Sequence, residues 1–133
     1  MDSTPQPHPD VAFCLRYLRV MEERDLATAK TMLAPGFRMV FPGDKRMTDL
    51  DALVANSASR YRFVKKTFEE TDAGTDRQGR AVVVISGTLY GEWPDGTPFS
   101  GIRYCDRFVL QDGKLVEQHV WNDLGETLRA AGR

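Results

Sequence analysis

The chain has 133 residues, of which 41% are hydrophobic and 28% charged, and its formal net charge is −1. This length suits one domain that buries its own core, and the balanced charge lacks the basic excess of a nucleic-acid-binding protein. Two cysteines far apart in the sequence favour a reduced, cytoplasmic protein over a secreted disulfide scaffold. No apolar run approaches the ~20 residues of a membrane span, so we expect neither nucleic acid nor membrane as a partner. The main basic cluster is interpreted as a solvated strand face: Arg60, Arg62, Lys65 and Lys66.

The first nine residues differ in composition from the rest of the chain. Residues 1–9 contain Pro5, Pro7 and Pro9 and no apolar stretch. They predict a flexible N-terminal tail rather than a signal peptide. Residues 10–133 contain no linker, repeat or low-complexity segment, and they predict a single domain.

Helical patterns dominate the first half of that domain. Asp10 is a candidate N-cap, followed by apolar residues at helical spacing as far as Val20. Asp25 can cap a second short helix that Pro35-Gly36 ends. Thr48 and Asp51 have the spacing of a capping box and predict a third helix.

Strand patterns dominate the second half. After an early strand over residues 37–41, alternating or β-branched runs predict further strands over 62–71, 81–93, 99–110 and 114–122. Asp95-Gly96 and Asp112-Gly113 are typical of two-residue hairpin turns. A short helix over residues 124–131 ends the chain. The sequence therefore predicts an α+β fold with three N-terminal helices and a long antiparallel meander.

The two hairpin turns predict which residues face each other. A turn centred on Asp112-Gly113 places Asp106 opposite His119 and Tyr104 opposite Trp121. The turn at Asp95-Gly96 places Ile85 beside Asp106 and Leu89 beside Ile102. One face of the sheet then carries most of the large apolar side chains, and we expect it to be the inner face: Val83, Ile85, Leu89, Trp93, Ile102, Tyr104, Phe108, Leu110, Leu115 and Trp121.

Three ionisable groups are predicted on this apolar face. Asp106, His119 and Asp123 would lie near one another, and an Asp–His pair shielded from water is a candidate acid/base device. An alternative is that the pair is only a satisfied hydrogen bond that pins the sheet.

Four runs in the second half resemble a known family. Tyr104-Cys105-Asp106-Arg107-Phe108 and the residues around Asp112-Gly113, together with Thr97-Pro98-Phe99 and Trp121-Asn122-Asp123, are similar to SnoaL-like proteins of the nuclear transport factor 2-like superfamily. The resemblance covers about residues 10 to 132.

The resemblance implies a cystatin-like cone, in which a strongly curved antiparallel sheet wraps round three helices and leaves a pocket at its open end. The family includes ketosteroid isomerases, dehydratases and polyketide cyclases, beside members that only bind ligands. It also implies a homodimer formed through the outer sheet face, which here would carry Val82, Val84, Cys105, Val109 and Val120.

Similarity to ketosteroid isomerase implies roles for particular residues. Tyr17 matches the oxyanion-hole tyrosine, Asp106 the oxyanion-hole acid and Trp121 a pocket tryptophan. The position of the general base falls on Phe41, which cannot accept a proton. His119 is outside the isomerase set and resembles the histidine of His–Asp pairs in dehydratase members.

Two functions remain open from the sequence. In the first, an isomerase, dehydratase or cyclase holds a substrate oxygen with Tyr17 and Asp106, while His119, oriented by Asp106 or Asp123, moves a proton. The ligand, a small apolar molecule, would pack against four aromatic residues: Phe41, Tyr104, Phe108 and Trp121. In the second, the pocket binds a ligand, or the domain is a dimeric scaffold, without chemistry. We expect no metal and no organic cofactor, because no ligand spacing or glycine-rich phosphate loop is present.

Overall fold

The computed structural model describes residues 8–132. Residues 1–7 of the expected tail, and Arg133, lie outside the described residues. The helices are α1 (Pro9–Glu22), α2 (Leu26–Thr31), α3 (Leu50–Arg60) and α4 (Leu124–Ala130). The strands are β1 (Leu33–Phe41), β2 (Lys45–Met47), β3 (Phe63–Lys66), β4 (Glu70–Thr75), β5 (Ala81–Glu92), β6 (Pro98–Gln111) and β7 (Lys114–Asn122).

The strands form one curved sheet that does not close. Its order is β2-β1-β7-β6-β5-β3, with β4 paired to β5 beyond the end of β3. The prediction of an antiparallel sheet is wrong at one place, because β1 runs parallel to β7. No hairpin joins these two strands, so the connection between them does not force an antiparallel pairing.

Helix starts differ in detail from the predicted ones. His8, not Asp10, caps α1: its Nδ1 accepts the Asp10 N–H at 3.1 Å, and Pro9 occupies the first helical position, where no N–H is needed. Asp49 replaces the predicted Thr48 as the cap of α3. Asp25 caps α2 as predicted.

The strand predicted over residues 62–71 is interrupted, and this break shapes the site. A β-carbon on Gly87 would lie 2.3 Å from the Thr67 carbonyl oxygen, so only glycine permits the close approach of the chain there. Residues 67–69 therefore interrupt the regular pairing between β3 and β4, although the Thr67 and Glu69 N–H groups still donate to the Thr88 and Ser86 carbonyls of β5. On β3, Val64 and Lys66 point towards the inside of the cone, where both line its cavity.

The β6–β7 hairpin starts as predicted and then slips. Leu110 pairs with Leu115 across the Asp112-Gly113 turn, but the next pair is Val109 with Glu117, so Val116 is an extra residue on β7. Such a bulge moves every later residue of β7 to the opposite face.

The predicted pairing of Asp106 with His119 is therefore wrong. Asp106 lies opposite Val120, while His119 lies opposite Arg107 on the outer face. Tyr104 likewise faces Asn122 rather than the predicted Trp121, which pairs with Cys105.

Helix α1 crosses the concave face and builds the core there. Tyr17, 1% exposed, packs edge-on against Phe37 and Phe108, with ring centroids 6.4 and 6.1 Å away. Edge-on packing of this kind stabilises buried aromatic pairs beyond the area they bury. The core fills one end of the cone and leaves the other end open for the site.

Candidate functional site

A cavity of about 710 Å³ lies between the concave face of the sheet and the helices. A volume of this size accommodates a drug-sized molecule. Its walls are mainly apolar and come from helices α1, α3 and α4 and from strands β1, β2, β3, β5, β6 and β7. The apolar lining includes Leu18, Met21, Phe41, Met47, Leu53, Tyr61, Val64, Leu89, Trp93, Tyr104, Val120, Leu124 and Leu128.

A buried ion pair lies at the floor of this cavity. Asp106 is completely buried, and its Oδ2 lies 2.7 Å from Lys66 Nζ. The Lys66 side chain is 20% exposed, lines the cavity and passes 4.8 Å from the centre of the Tyr104 ring. A carboxylate is stable in this position only because a cation satisfies it. Two residues of the basic cluster that the sequence predicted as a solvated face, Lys66 and the exposed Arg60, thus line the cavity.

Two polar atoms near this pair have no hydrogen-bond partner within residues 8–132. They are the Tyr17 hydroxyl and Asp106 Oδ1, both buried. Burial, and after it the negative charge of Asp106, raise the pKa of the Tyr17 phenol, so Tyr17 remains a hydroxyl donor at neutral pH. Tyr17 also belongs to the cavity lining, so the residue that carries this unpartnered hydroxyl borders the cavity.

Tyr104 differs from Tyr17 although both rings line the cavity. Its hydroxyl donates to the Thr67 carbonyl at 2.6 Å, the contact that the missing side chain of Gly87 makes possible. Burial is the main cause that raises the pKa of Tyr104. Tyr104 is thus positioned as a wall of the pocket rather than as a free donor.

The bulge brings polar residues of β7 into the cavity that the sequence did not single out. Gln118 is 5% exposed, lines the cavity and makes no side-chain hydrogen bond to another described residue. Asn122 also faces the cavity, where its Oδ1 accepts the Leu124 N–H and caps α4. One signal could have revealed the bulge: the predicted register placed Glu117 opposite Phe108 in the core, where a carboxylate has no partner.

Glu22 is the carboxylate that lines the cavity in the described part of the chain. Its Oε1 accepts the Lys66 backbone N–H at 2.6 Å, and its Oε2 lies 2.8 Å from Arg19 Nη1. These contacts hold the carboxylate at the end of α1, beside the floor. Its position at the end of a helix, flanked by other charged residues, gave no sequence signal.

The predicted site residues separate into two groups. Tyr17, Phe41 and Tyr104 line the cavity, and Asp106 lies directly behind Lys66. Phe108 is fully buried in the core against Tyr17 and does not line the cavity.

The other predicted residues lie away from the cavity. His119 and Trp121 stack on the outer face with ring centroids 5.8 Å apart, and Trp121 is 53% exposed. Asp123 immediately precedes α4 and forms an ion pair with Arg103 at 2.5 Å. The predicted acid/base set of Asp106, His119 and Asp123 is therefore not brought together, because of the extra residue in β7.

An ionic network surrounds Glu117 on the outer face. Its carboxylate contacts Arg38 at 2.6 Å, His119 at 3.4 Å and Arg80 at 3.5 Å. Burial opposes the ionisation of Glu117, but the hydrogen bonds and charges of His119 and Arg38 outweigh it and lower its pKa. This network explains why Glu117 turns outward at the bulge. The homodimer expected through this face stays a prediction.

Residues 8–132 contain no group of three His, Cys, Asp or Glu side chains placed to hold a metal ion. Across the same residues, no helix has the length and apolarity needed to cross a membrane.

Comparison with known proteins agrees with this architecture. A family model described as a SnoaL-like domain matches residues 15–118. No curated protein matches the sequence.

Solved structures resemble the chain over most of its length. An NTF2-like protein of unknown function from Burkholderia pseudomallei has a TM-score of 0.77 at 15% identity, over 92% of this chain and 97% of that one. TerC, co-crystallised with polyporic acid, has a TM-score of 0.78 at 15% identity, over 95% and 100%. ActVI-ORFA from Streptomyces coelicolor has a TM-score of 0.67 at 16% identity, over 86% and 94%. At these identities the likeness shows the fold alone. Because the family model covers most of the chain and the cone fold agrees, the chain belongs to the SnoaL-like family.

Proposed function

We propose that this protein binds a small, largely apolar molecule in the cone, with an oxygen of that molecule at the floor. The observation that carries the proposal is the buried, unpartnered hydroxyl of Tyr17 beside a cavity with apolar walls. A buried polar group without a partner costs about 1–3 kcal/mol. A ligand carbonyl or phenolic oxygen that accepts from Tyr17 removes this cost.

Two neighbouring groups complete the recognition of that oxygen. Lys66 Nζ has three N–H donors and uses one on Asp106, and the Gln118 carboxamide is free to donate or accept. Aromatic walls at Phe41 and Tyr104 suit a flat, unsaturated ring system. TerC, a protein of the same fold, was co-crystallised with polyporic acid, which agrees with a ligand site in this type of cone.

A matched pair of probes tests the proposal. We expect 2-naphthol to bind about 3- to 10-fold more tightly than naphthalene, the gain of one hydrogen bond. Tyr17→Phe should abolish that preference. Tyr61→Phe is the control, since Tyr61 also lines the cavity but stacks on Trp93 instead. Equal affinities of the wild type for both probes, measured by fluorescence titration, would contradict the assignment of Tyr17.

Proton transfer in the same pocket is a second candidate function, favoured by the position of Glu22. Tyr17 and Lys66 would stabilise the negative charge that develops on a carbonyl oxygen when a neighbouring carbon loses a proton. The carboxylate of Glu22 would accept that proton and return one to the product. Phe41, at the position of the isomerase base, offers no proton acceptor, and His119 lies outside the cavity, so neither takes part.

Isotope exchange separates catalysis from binding without knowledge of the substrate. In D₂O, we expect the wild type to speed exchange of the C1 protons of 2-tetralone by about 100-fold, the contribution typical of general-base catalysis. Glu22→Gln should lose most of this acceleration, and Glu23→Gln, an exposed neighbour outside the cavity lining, should keep it. If 2-tetralone saturates the protein but its C1 protons still exchange at the rate seen in buffer alone, catalysis is refuted and ligand binding is the function.

A further inference from the structure

Three cationic side chains line the mouth of the cavity without an acidic partner. Arg24, Lys45 and Arg60 are exposed and belong to the cavity lining, and none forms an ion pair with a residue in the range 8–132. Neighbouring cations are paired: Arg46 lies 3.1 Å from Asp44, and Lys30 lies 2.8 Å from Asp51. The three unpaired cations are named the rim cations below.

The rim cations gather around one face of α3. Arg24 donates to the Met21 carbonyl at 2.9 Å and to Ser57 Oγ at 3.3 Å, so its guanidinium is held between the end of α1 and α3. Arg60 lies three residues beyond Ser57, on the same face of that helix.

Lys45 reaches this face from β2. It shares one side of the strand with Met47, since the two residues are two apart and both line the cavity. The Met47 sulfur lies 4.0 Å from Asn56 Nδ2 on α3. The mouth therefore carries positive charge from three separate segments: the connection between α1 and α2, strand β2 and helix α3.

Nothing in the cavity lining neutralises this charge. Glu22 is held by Arg19 and the Lys66 backbone N–H, and Asp106 is taken up by Lys66. The excess is local, because the chain as a whole has a net charge of −1. In a cleft with apolar, low-dielectric walls, charges of one sign attract and orient an oppositely charged ligand.

We infer that the ligand is an amphiphilic anion: an apolar body fills the cone and a carboxylate, sulfate or similar anionic group lies at the mouth against the rim cations. The inference rests on the proposed ligand pocket and adds the charge and orientation of the ligand to it. The oxygen at the floor and the anion at the mouth would define both ends of the molecule.

The test uses two fluorescent probes that differ by one anionic group, N-phenyl-1-naphthylamine and its sulfonate, 8-anilinonaphthalene-1-sulfonate. The wild type should bind the sulfonate roughly 10-fold more tightly than the uncharged amine, the combined effect expected of three exposed charges. That preference should shrink between 50 mM and 500 mM NaCl, because salt screens exposed charges.

The decisive variant is Arg24→Gln/Lys45→Gln/Arg60→Gln. It should bind the sulfonate no more tightly than it binds the amine. The matched control is Arg16→Gln/Lys65→Gln/Arg77→Gln, which removes the same charge from exposed positions outside the cavity lining and should keep the preference. Amide NMR spectra with native dispersion exclude probe binding to a partly unfolded state.

The outcomes separate this inference from the pocket itself. If both probes bind equally in the wild type, or if both triple variants lose the preference alike, the anionic ligand is refuted while the pocket stands. If neither probe binds, nor 2-naphthol, the pocket fails and the inference fails with it.

Discussion

Replacing Lys66 by methionine tests the ion pair at the floor of the cavity. Methionine keeps the length of the side chain and removes the ammonium that lies 2.7 Å from Asp106 Oδ2. Asp106 is 0% exposed and its Oδ1 already lacks a partner, so the variant leaves a buried carboxylate with neither water nor a counter-charge. Removing one partner of a buried pair costs about 3–5 kcal/mol.

The exposure of Lys66 places this variant near the lower end of that range. Because its side chain is 20% exposed towards the cavity, water can enter and partly solvate the carboxylate, and we expect a loss of about 3 kcal/mol. The assay is urea unfolding at pH 7 followed by circular dichroism. Lys65→Met, on the exposed side of the same strand, is the control and should change stability by less than about 0.5 kcal/mol.

A double mutant distinguishes the ion pair from simple loss of packing. Asp106→Asn removes the charge that must be desolvated, so Lys66→Met in that background should cost about 1 kcal/mol or less, a coupling of roughly 2 kcal/mol. If Lys66→Met costs the same in both backgrounds, or less than about 1 kcal/mol in the wild type, the ion pair is not what stabilises the floor.

Three further predictions concern the frame around the site. Because the pKa of Glu117 lies below its ordinary value of 4.5 in the folded chain, its ionised form stabilises the fold above that pH and the effect is lost as the pH falls through the lowered pKa. Glu117→Gln should therefore cost about 2 kcal/mol at pH 7 and almost nothing once the pH has fallen below the lowered pKa of Glu117; a constant difference across the range would contradict the network. Burial raises the pKa of the Cys14 thiol to about 12, so a thiol reagent should label Cys105 in the native state and Cys14 only on unfolding, and rapid double labelling would refute the buried position of α1. Gly87→Ala should cost more than about 2 kcal/mol, because its β-carbon would lie 2.3 Å from a backbone carbonyl, whereas Gly74→Ala, with open space around it, should change stability by less than about 1 kcal/mol; similar effects of the two would argue against the close approach.

Local turn chemistry predicted much of the sheet. The pairs Ile85–Asp106 and Leu89–Ile102 are confirmed. Two departures from the predicted hairpin cancel each other. The loop is longer than the predicted two-residue turn at Asp95-Gly96, which shifts the register, and a bulge between Leu89 and Gly91 shifts it back.

The β6–β7 hairpin had no such compensation. A bulge is set by tertiary contacts, here those of Glu117 with cations on β1 and near the start of β5, which lie far away in the sequence. One extra residue moved His119 and Trp121 to the outer face and brought Gln118 inside. Three of the eight predicted site residues, His119, Trp121 and Asp123, therefore depended on a contact that the local pattern does not contain.

The part of the site on α1, β1 and β6 was predictable from side-chain direction. Tyr17, Phe41 and Tyr104 line the cavity because each lies on an apolar face with a regular period. Lys66 and Glu22 were missed for a different reason. Charged residues that lie near other charged residues in the sequence are usually solvated. Lys66 is directed to the floor of the cavity by the break in the strand after β3, and Glu22 by its place at the end of α1.

The proposed ligand of the cone is an apolar, oxygen-bearing molecule that lies against Tyr17. Amide chemical shifts of the ¹⁵N-labelled protein during titration with 2-naphthol test it most directly. We expect saturable shifts concentrated on the cavity lining, from the Tyr17 turn of α1 to Lys66 and Gln118. In Tyr17→Phe, the shifts should not reach saturation at the same concentrations of 2-naphthol. Shifts centred on His119 and Trp121 of the outer face, or no shifts at all, would contradict it.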